Sequence, residues 1–154
     1  MTKKTTNQHK QSANLDFIDP RLINDCQYVT ELELSVVLLM NDCNYPWLIL
    51  VPKVEQVYDL TDLDYIKQRV ILEEINLCAN FLKENFSVDK LNIASLGNVV
   101  KQLHIHVIAR SKNDLTFPKP VWGNSIAKPY QLSVANKIIS DFKIFINKKV
   151  NNNG

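Results

Sequence analysis

Histidine, cysteine and glycine are each scarce in this chain, with three of each in 154 residues. The cysteines, at positions 26, 43 and 78, form no Cys-x-x-Cys pair. That excludes a disulfide framework, and the odd, widely spaced thiols read as reduced, so a cytoplasmic protein is expected. No uninterrupted apolar run exceeds five residues (36–40 and 47–51), too short to cross a bilayer. A surplus of one charge is also missing: 18 basic against 16 acidic residues leaves +2, with no basic stripe interleaved with aromatics. Nucleic acid is therefore not an expected partner, and neither is a membrane. The first ten residues are basic but lack an apolar stretch, so they do not read as a signal peptide.

What remains is the balance of one globular domain, 45% hydrophobic and 22% charged. Residues 1–14 are polar and are expected to be a disordered tail; His9 falls there and reads as solvated. The domain is expected over 15–148, with 149–154 a frayed, disordered end. Phe17, Ile18, Leu22 and Ile23 suggest a short amphipathic start that Pro20 limits. Residues 29–34 alternate as a short strand. Runs 35–40 and 47–51 are aliphatic, flank a turn with Asn, Asp and Pro, and predict an antiparallel hairpin. Thr61-x-x-Asp64 looks like a capping box that opens a helix over 62–85, where apolar residues recur at helical spacing. A strand over 91–95, a prolyl segment at 117–123 and a second amphipathic helix from Leu132 complete an α+β domain. Its expected architecture is an antiparallel sheet with two main helices.

Two of the three histidines lie two residues apart, in Gly97-Asn-Val-Val-Lys-Gln102-Leu-His104-Ile-His106-Val-Ile-Ala-Arg110. On a strand over 100–110, alternate residues share a face at roughly 6.5–7 Å spacing. Gln102, His104 and His106 then line one face, and Leu103, Ile105 and Val107 the other. Two adjacent imidazoles can divide nucleophilic attack from orientation or proton donation. Gly97 suits a turn of positive φ or a close approach of backbone to ligand, and Asn98 offers an amide. Spacing alone is equally compatible with hydrogen-bonded polar residues that do no chemistry. A zinc site would need further ligands, and no cysteine stands at ligand spacing, so neither metal nor cofactor is expected. Lys53 and Arg110 read more readily as solvated strand ends than as steering groups. Trp122, in its prolyl loop, reads more readily as core than as a base-stacking residue.

The stretch 97–108 resembles the histidine triad (HIT) signature, in which Gly-Gln-Ser/Thr-Val leads into His-φ-His-φ-His-φ-φ. Val36-Val-Leu-Leu-Met-Asn41 and Leu48-Ile-Leu-Val-Pro-Lys53 resemble that family's nucleotide-binding hairpin, and a helix separates the two motifs as it should. The resemblance implies a homodimeric nucleotide hydrolase or transferase with a purine nucleotide substrate. His104 matches the nucleophile that takes the nucleotidyl group, and His106 the histidine that orients it. Asn98 matches a residue on the α-phosphate. Asn41, or Asp42 if the register differs by one, matches the residue that holds the ribose hydroxyls; Gly97 and Val99 complete the expected nucleotide contacts. Three departures stand out. Gln102 replaces the first histidine of the triad, Val99 stands where the family has Ser or Thr, and Trp47 occupies a position often held by histidine. The substrate is then a dinucleoside polyphosphate or a nucleoside phosphoramidate, the alternative being a weakly active or inactive nucleotide-binding regulatory protein.

Overall fold

The structure is a computed structural model, and it describes residues 14–152. Five strands, β1 Cys26–Glu31, β2 Ser35–Met40, β3 Trp47–Pro52, β4 Lys90–Ala94 and β5 Ile105–Arg110, form one antiparallel sheet in the order β1-β2-β3-β5-β4. The hairpin expected from the two aliphatic runs is present, with Val36 opposite Val51 and Leu38 opposite Ile49. Because β5 inserts between β3 and β4, the histidine strand is an inner one. Its six residues are all buried, as are those of β3, so both faces of the sheet centre are covered.

One face packs on two long helices, α2 Tyr65–Asn85 and α3 Leu132–Asn152. Val37, Leu39, Leu48, Leu50, Leu103, Ile105 and Val107 meet Ile71, Cys78, Phe81, Leu82, Ala135 and Phe142 there. Phe81 and Phe142 lock edge to face with ring centroids 4.9 Å apart. The buried Glu74 of α2 accepts from the backbone N–H of Leu34 at 2.6 Å and of Ser35 at 3.3 Å, which ties the helix to the β1–β2 turn. The opposite face, with Val36, Leu38, Trp47, Ile49 and Ile108, is covered by Ile18, by Leu22 of the short first helix, α1 Pro20–Asp25, and by Val121 from the long segment after β5. This second face carries the histidines.

Several boundaries differ from the sequence expectation. The histidine strand begins at Ile105 rather than near residue 100, because Leu103 donates its N–H to Val57 and leaves the ladder. The first strand begins at Cys26, three residues before the alternation suggested. Asp64 does not close a box with Thr61. It is the N-cap of α2 and accepts from Lys67 N–H, while Leu60–Asp62 form a separate 3-10 turn with its own capping box from Asp59. The helix α3 continues to Asn152, into the expected frayed end, since Lys149 pairs with Glu84 and lies over the Phe145 ring. Of the expected 1–14 tail, all but Asn14 lies outside the described residues.

Candidate active site

His104 immediately precedes β5 and His106 is its second residue, so both project from the face away from α2 and α3. The register sets His106 opposite Ile49 on one side and Ala94 on the other. The two imidazoles meet edge to face, with centroids 4.9 Å apart, and each keeps only 6% of its surface exposed.

Each ring has one nitrogen assigned by its partner. The Nδ1 of His104 lies 2.7 Å from the carbonyl oxygen of Gln102. A carbonyl only accepts, so Nδ1 carries the proton and Nε2 is left with an in-plane lone pair. The Nε1–H of Trp47 donates to Nδ1 of His106 at 3.1 Å. An indole N–H only donates, so Nδ1 of His106 is unprotonated and its proton sits on Nε2. Among the described residues neither Nε2 has a hydrogen-bond partner. Burial, with the neighbouring His104 adding repulsion, brings the pKa of His106 down to about 3, so its ring is neutral at working pH.

Gln102 stands where the resembled signature has its first histidine, and its side chain is taken up by the N-terminal segment that covers the histidine face. It accepts from the N–H of Asp19 at 2.8 Å and donates to the carbonyl of Phe17 at 2.9 Å. Its amide therefore fastens the N-terminal segment to the histidine approach, while its backbone carbonyl orients His104. Asp19 is close enough to His104 for their charges to interact; hydrogen bonds from Arg21 hold the Asp19 carboxyl down at about 2, so it stays anionic.

The remaining expected site residues are spread around this pair. Gly97 has φ +67°, a left-handed turn that glycine adopts without strain. Asn98 and Val99 are exposed; the side chain of Val99 points into solvent, and its carbonyl accepts from Arg21 at 2.9 Å. Asn41 and Asp42 follow β2, toward the other end of β5. The Oδ1 of Asn41 accepts from Tyr130 N–H, and the Oδ1 of the buried Asp42 from Asn44 and from Lys128 N–H. A groove of about 1040 Å³ opens beside Gln102, lined among others by Phe17, Asp19, Arg21, Lys53, Tyr58 and Lys101. Neither histidine lines it.

Arg110 is neither a steering group nor a solvated cap. It is buried and paired with Asp114, with further bonds to Asn92, Thr116 and the Lys119 carbonyl. Lys53 is exposed and spends its ammonium on Glu31 and the Leu32 carbonyl. Trp122 is half-buried, as the core reading expects, but its neighbours are site residues: its ring packs edge to face on His106 at 5.1 Å and on Trp47 at 5.6 Å. The N–H of Trp47 was the signal missed, although a tryptophan in a position often held by histidine marks the place. Among the described residues no group of three or more His, Cys, Asp or Glu side chains is arranged to hold a metal ion. Nor is any described helix long and apolar enough to cross a membrane.

The family model of the HIT domain matches residues 21–113, more than half of the chain and including both histidines. The chain belongs to the HIT family. Solved HIT structures agree over nearly their whole length. A histidine triad protein of Bradyrhizobium japonicum is 40% identical with a TM-score of 0.82, the match covering 84% of this chain and 96% of that one. One from Sinorhizobium meliloti is 38% identical, TM-score 0.80, covering 82% and 93%. One from Marinobacter aquaeolei is 35% identical, TM-score 0.81, covering 85% and 96%. No curated protein matches the chain. HIT membership accounts for the five-stranded antiparallel sheet and its two main helices.

Proposed function

We propose that this HIT protein is a nucleotidyl hydrolase or transferase in which His104 is the nucleophile. The observation that carries this reading is the bond from His104 Nδ1–H to the Gln102 carbonyl, which leaves the Nε2 lone pair free for a phosphorus atom. In the first step Nε2 bonds to the α-phosphorus of a purine nucleotide, and the bond to the leaving group breaks with its electron pair. In the second step water attacks the phosphorus, the P–N bond breaks back onto Nε2, and the proton of water passes to solvent. The nucleotidyl-imidazole formed between the steps is cationic, and the Asp19 carboxylate near His104 stabilises it. The Gly97–Val99 turn offers backbone N–H groups and the Asn98 amide to phosphate oxygens. Asn41 is the better candidate for the ribose, since its amide N–H₂ remains to donate while Asp42 Oδ1 already takes three donors. The scheme uses no metal or cofactor. A homodimer fits the family, and the β4 edge, with Ile93 half exposed, is open to a second copy. The free thiols of Cys26, Cys43 and Cys78 suit a cytoplasmic setting.

A second reading, a nucleotide-binding protein without turnover, draws on the burial of both imidazoles, with His106 beneath Trp122. AMP release from diadenosine tetraphosphate and from an adenosine phosphoramidate, by wild type and His104→Ala, separates the two. Loss of about 10²-fold or more in the variant is the result expected of a nucleophile. Binding of AMP by both proteins with turnover by neither would establish the second reading.

A further inference from the structure

We infer that Trp47 is a positioning residue that sets leaving-group specificity: its N–H holds His106 as a neutral Nε2–H donor, so the site favours leaving groups that depart without a proton. The inference rests on nucleotidyl transfer to His104 and deepens it.

Trp47 Nε1 and His106 Nδ1 share a buried bond of 3.1 Å. To act as an acid, His106 would need protons on both nitrogens. A proton on Nδ1 would face the indole N–H, donor against donor, with no room for water between them. The ring is held by Trp47, which is fixed on the inner strand β3 with its ring 5.4 Å away between centroids, so it does not turn to escape. The residues directly opposite on β3 and β4 are Ile49 and Ala94, which offer no charge to compensate an imidazolium. The charged or titratable groups nearby are His104 itself and, beyond it, Asp19 with its partner Arg21.

A neutral Nε2–H still donates a hydrogen bond to a phosphoryl oxygen or to a departing oxyanion. It does not give up its proton, since that would leave an imidazolate. When a phosphate anhydride is split, the P–O electron pair rests on a phosphate oxygen, whose conjugate acid has a pKa of about 6, and no proton need move. When a phosphoramidate is split, the pair lands on nitrogen, which must collect a proton as it leaves. Val99, exposed on the turn before the histidines, brings no hydroxyl that could supply it. Both features disfavour the P–N bond.

Two measurements test this. Two-bond proton–nitrogen correlation spectra of the wild type should show His106 Nδ1 as an unprotonated acceptor from about pH 5 to about pH 8. Values of kcat/KM on diadenosine tetraphosphate and on an adenosine phosphoramidate should favour the anhydride by about 10²-fold, the scale on which a positioned acid acts. In Trp47→Phe, which keeps an aromatic ring and drops the N–H, that ratio should fall by about tenfold, with a new ionisation in the phosphoramidate pH profile. A titrating Nδ1 in the wild type, or an unchanged ratio in a folded Trp47→Phe, overturns the proposal. Turnover of neither substrate overturns the underlying transfer reading and the specificity with it, while the nitrogen spectra still decide whether Trp47 holds His106.

Discussion

Arg110 and Asp114 form a two-pronged ion pair, Nε to Oδ2 at 2.7 Å and Nη2 to Oδ1 at 3.0 Å, with side chains only 2% and 7% exposed. The guanidinium also holds Asn92 on β4 and the Lys119 carbonyl, and it lies over the rings of Tyr45 and Phe117. Asp114 in turn accepts from the N–H groups of Ser111, Thr116 and Phe117. One buried pair thus anchors to the end of β5 the segment that carries Trp122 over His106. Asp114→Ala leaves a buried cation without its partner, which costs about 3–5 kcal/mol. At about 2–4 °C per kcal/mol for a chain of this size, differential scanning calorimetry should register a fall of about 10 °C. Activity measured well below the new midpoint should fall as well, because the loop over the site loses its anchor.

Acid should unfold the protein through two groups acting in the same sense. Burial alone would raise the Asp114 carboxyl, but its bonds from Arg110 and three backbone N–H groups outweigh that and hold it below the usual carboxylate value. Its stabilisation is complete above the unfolded carboxylate pKa of about 3.9 and is lost as pH falls through the lower folded value. His106 is depressed from 6.5 to about 3, so the unfolded chain binds its proton first. Stability therefore declines as pH falls from about 6.5 toward 3, and Asp114 adds to the decline only once the pH nears the unfolded carboxylate value of about 3.9. Denaturant titrations at a series of pH values should show that early decline in the wild type and a flatter one in His106→Asn. An identical slope in the two proteins would remove His106 from this account.

Gln102→Ala separates the two uses of that residue. The variant loses the amide bonds to Asp19 N–H and the Phe17 carbonyl, about 1–3 kcal/mol together. It keeps the backbone carbonyl that orients His104. Hydrogen exchange should quicken at residues 17–25, and kcat should fall far less than in His104→Ala. A kcat loss equal to that of His104→Ala would mean that the amide takes part in the chemistry.

The parts of this fold that were legible in the sequence are those with a strong local period. The aliphatic hairpin, the helix ending at Asn85 and the alternation of Leu103, Ile105 and Val107 against the histidines all follow from side-chain spacing. The pairing of His104 with His106 was legible for the same reason. What spacing did not reveal are contacts between residues far apart in the chain: Trp47 to His106, Gln102 to Asp19, Asp42 to Lys128. Arg110 shows why. A strand-end arginine looks solvated until a segment four to nine residues later folds back over it, and nothing in a local window announces that return. The bonds of the Gln102 amide to the N-terminal segment are hidden in the same way, since its partners lie more than eighty residues away.

Both tryptophans of the chain lie at His106, so intrinsic fluorescence reports this site without a label. His104 and His106 are each 6% exposed, and a nucleotide reaches Nε2 of His104 only if the cover shifts. Trp122 is the cover most readily moved, since it sits half-buried on an irregular segment, whereas Trp47 belongs to β3. Addition of AMP should therefore change the tryptophan emission of the wild type, with most of the change lost in Trp122→Phe. Trp122→Ala removes the cover, so stopped-flow mixing should show AMP associating about tenfold faster, as expected when a conformational step no longer limits binding. If association is no faster, Trp122 is a wall of the site rather than its cover, and the nucleotide must enter from the Gln102 side.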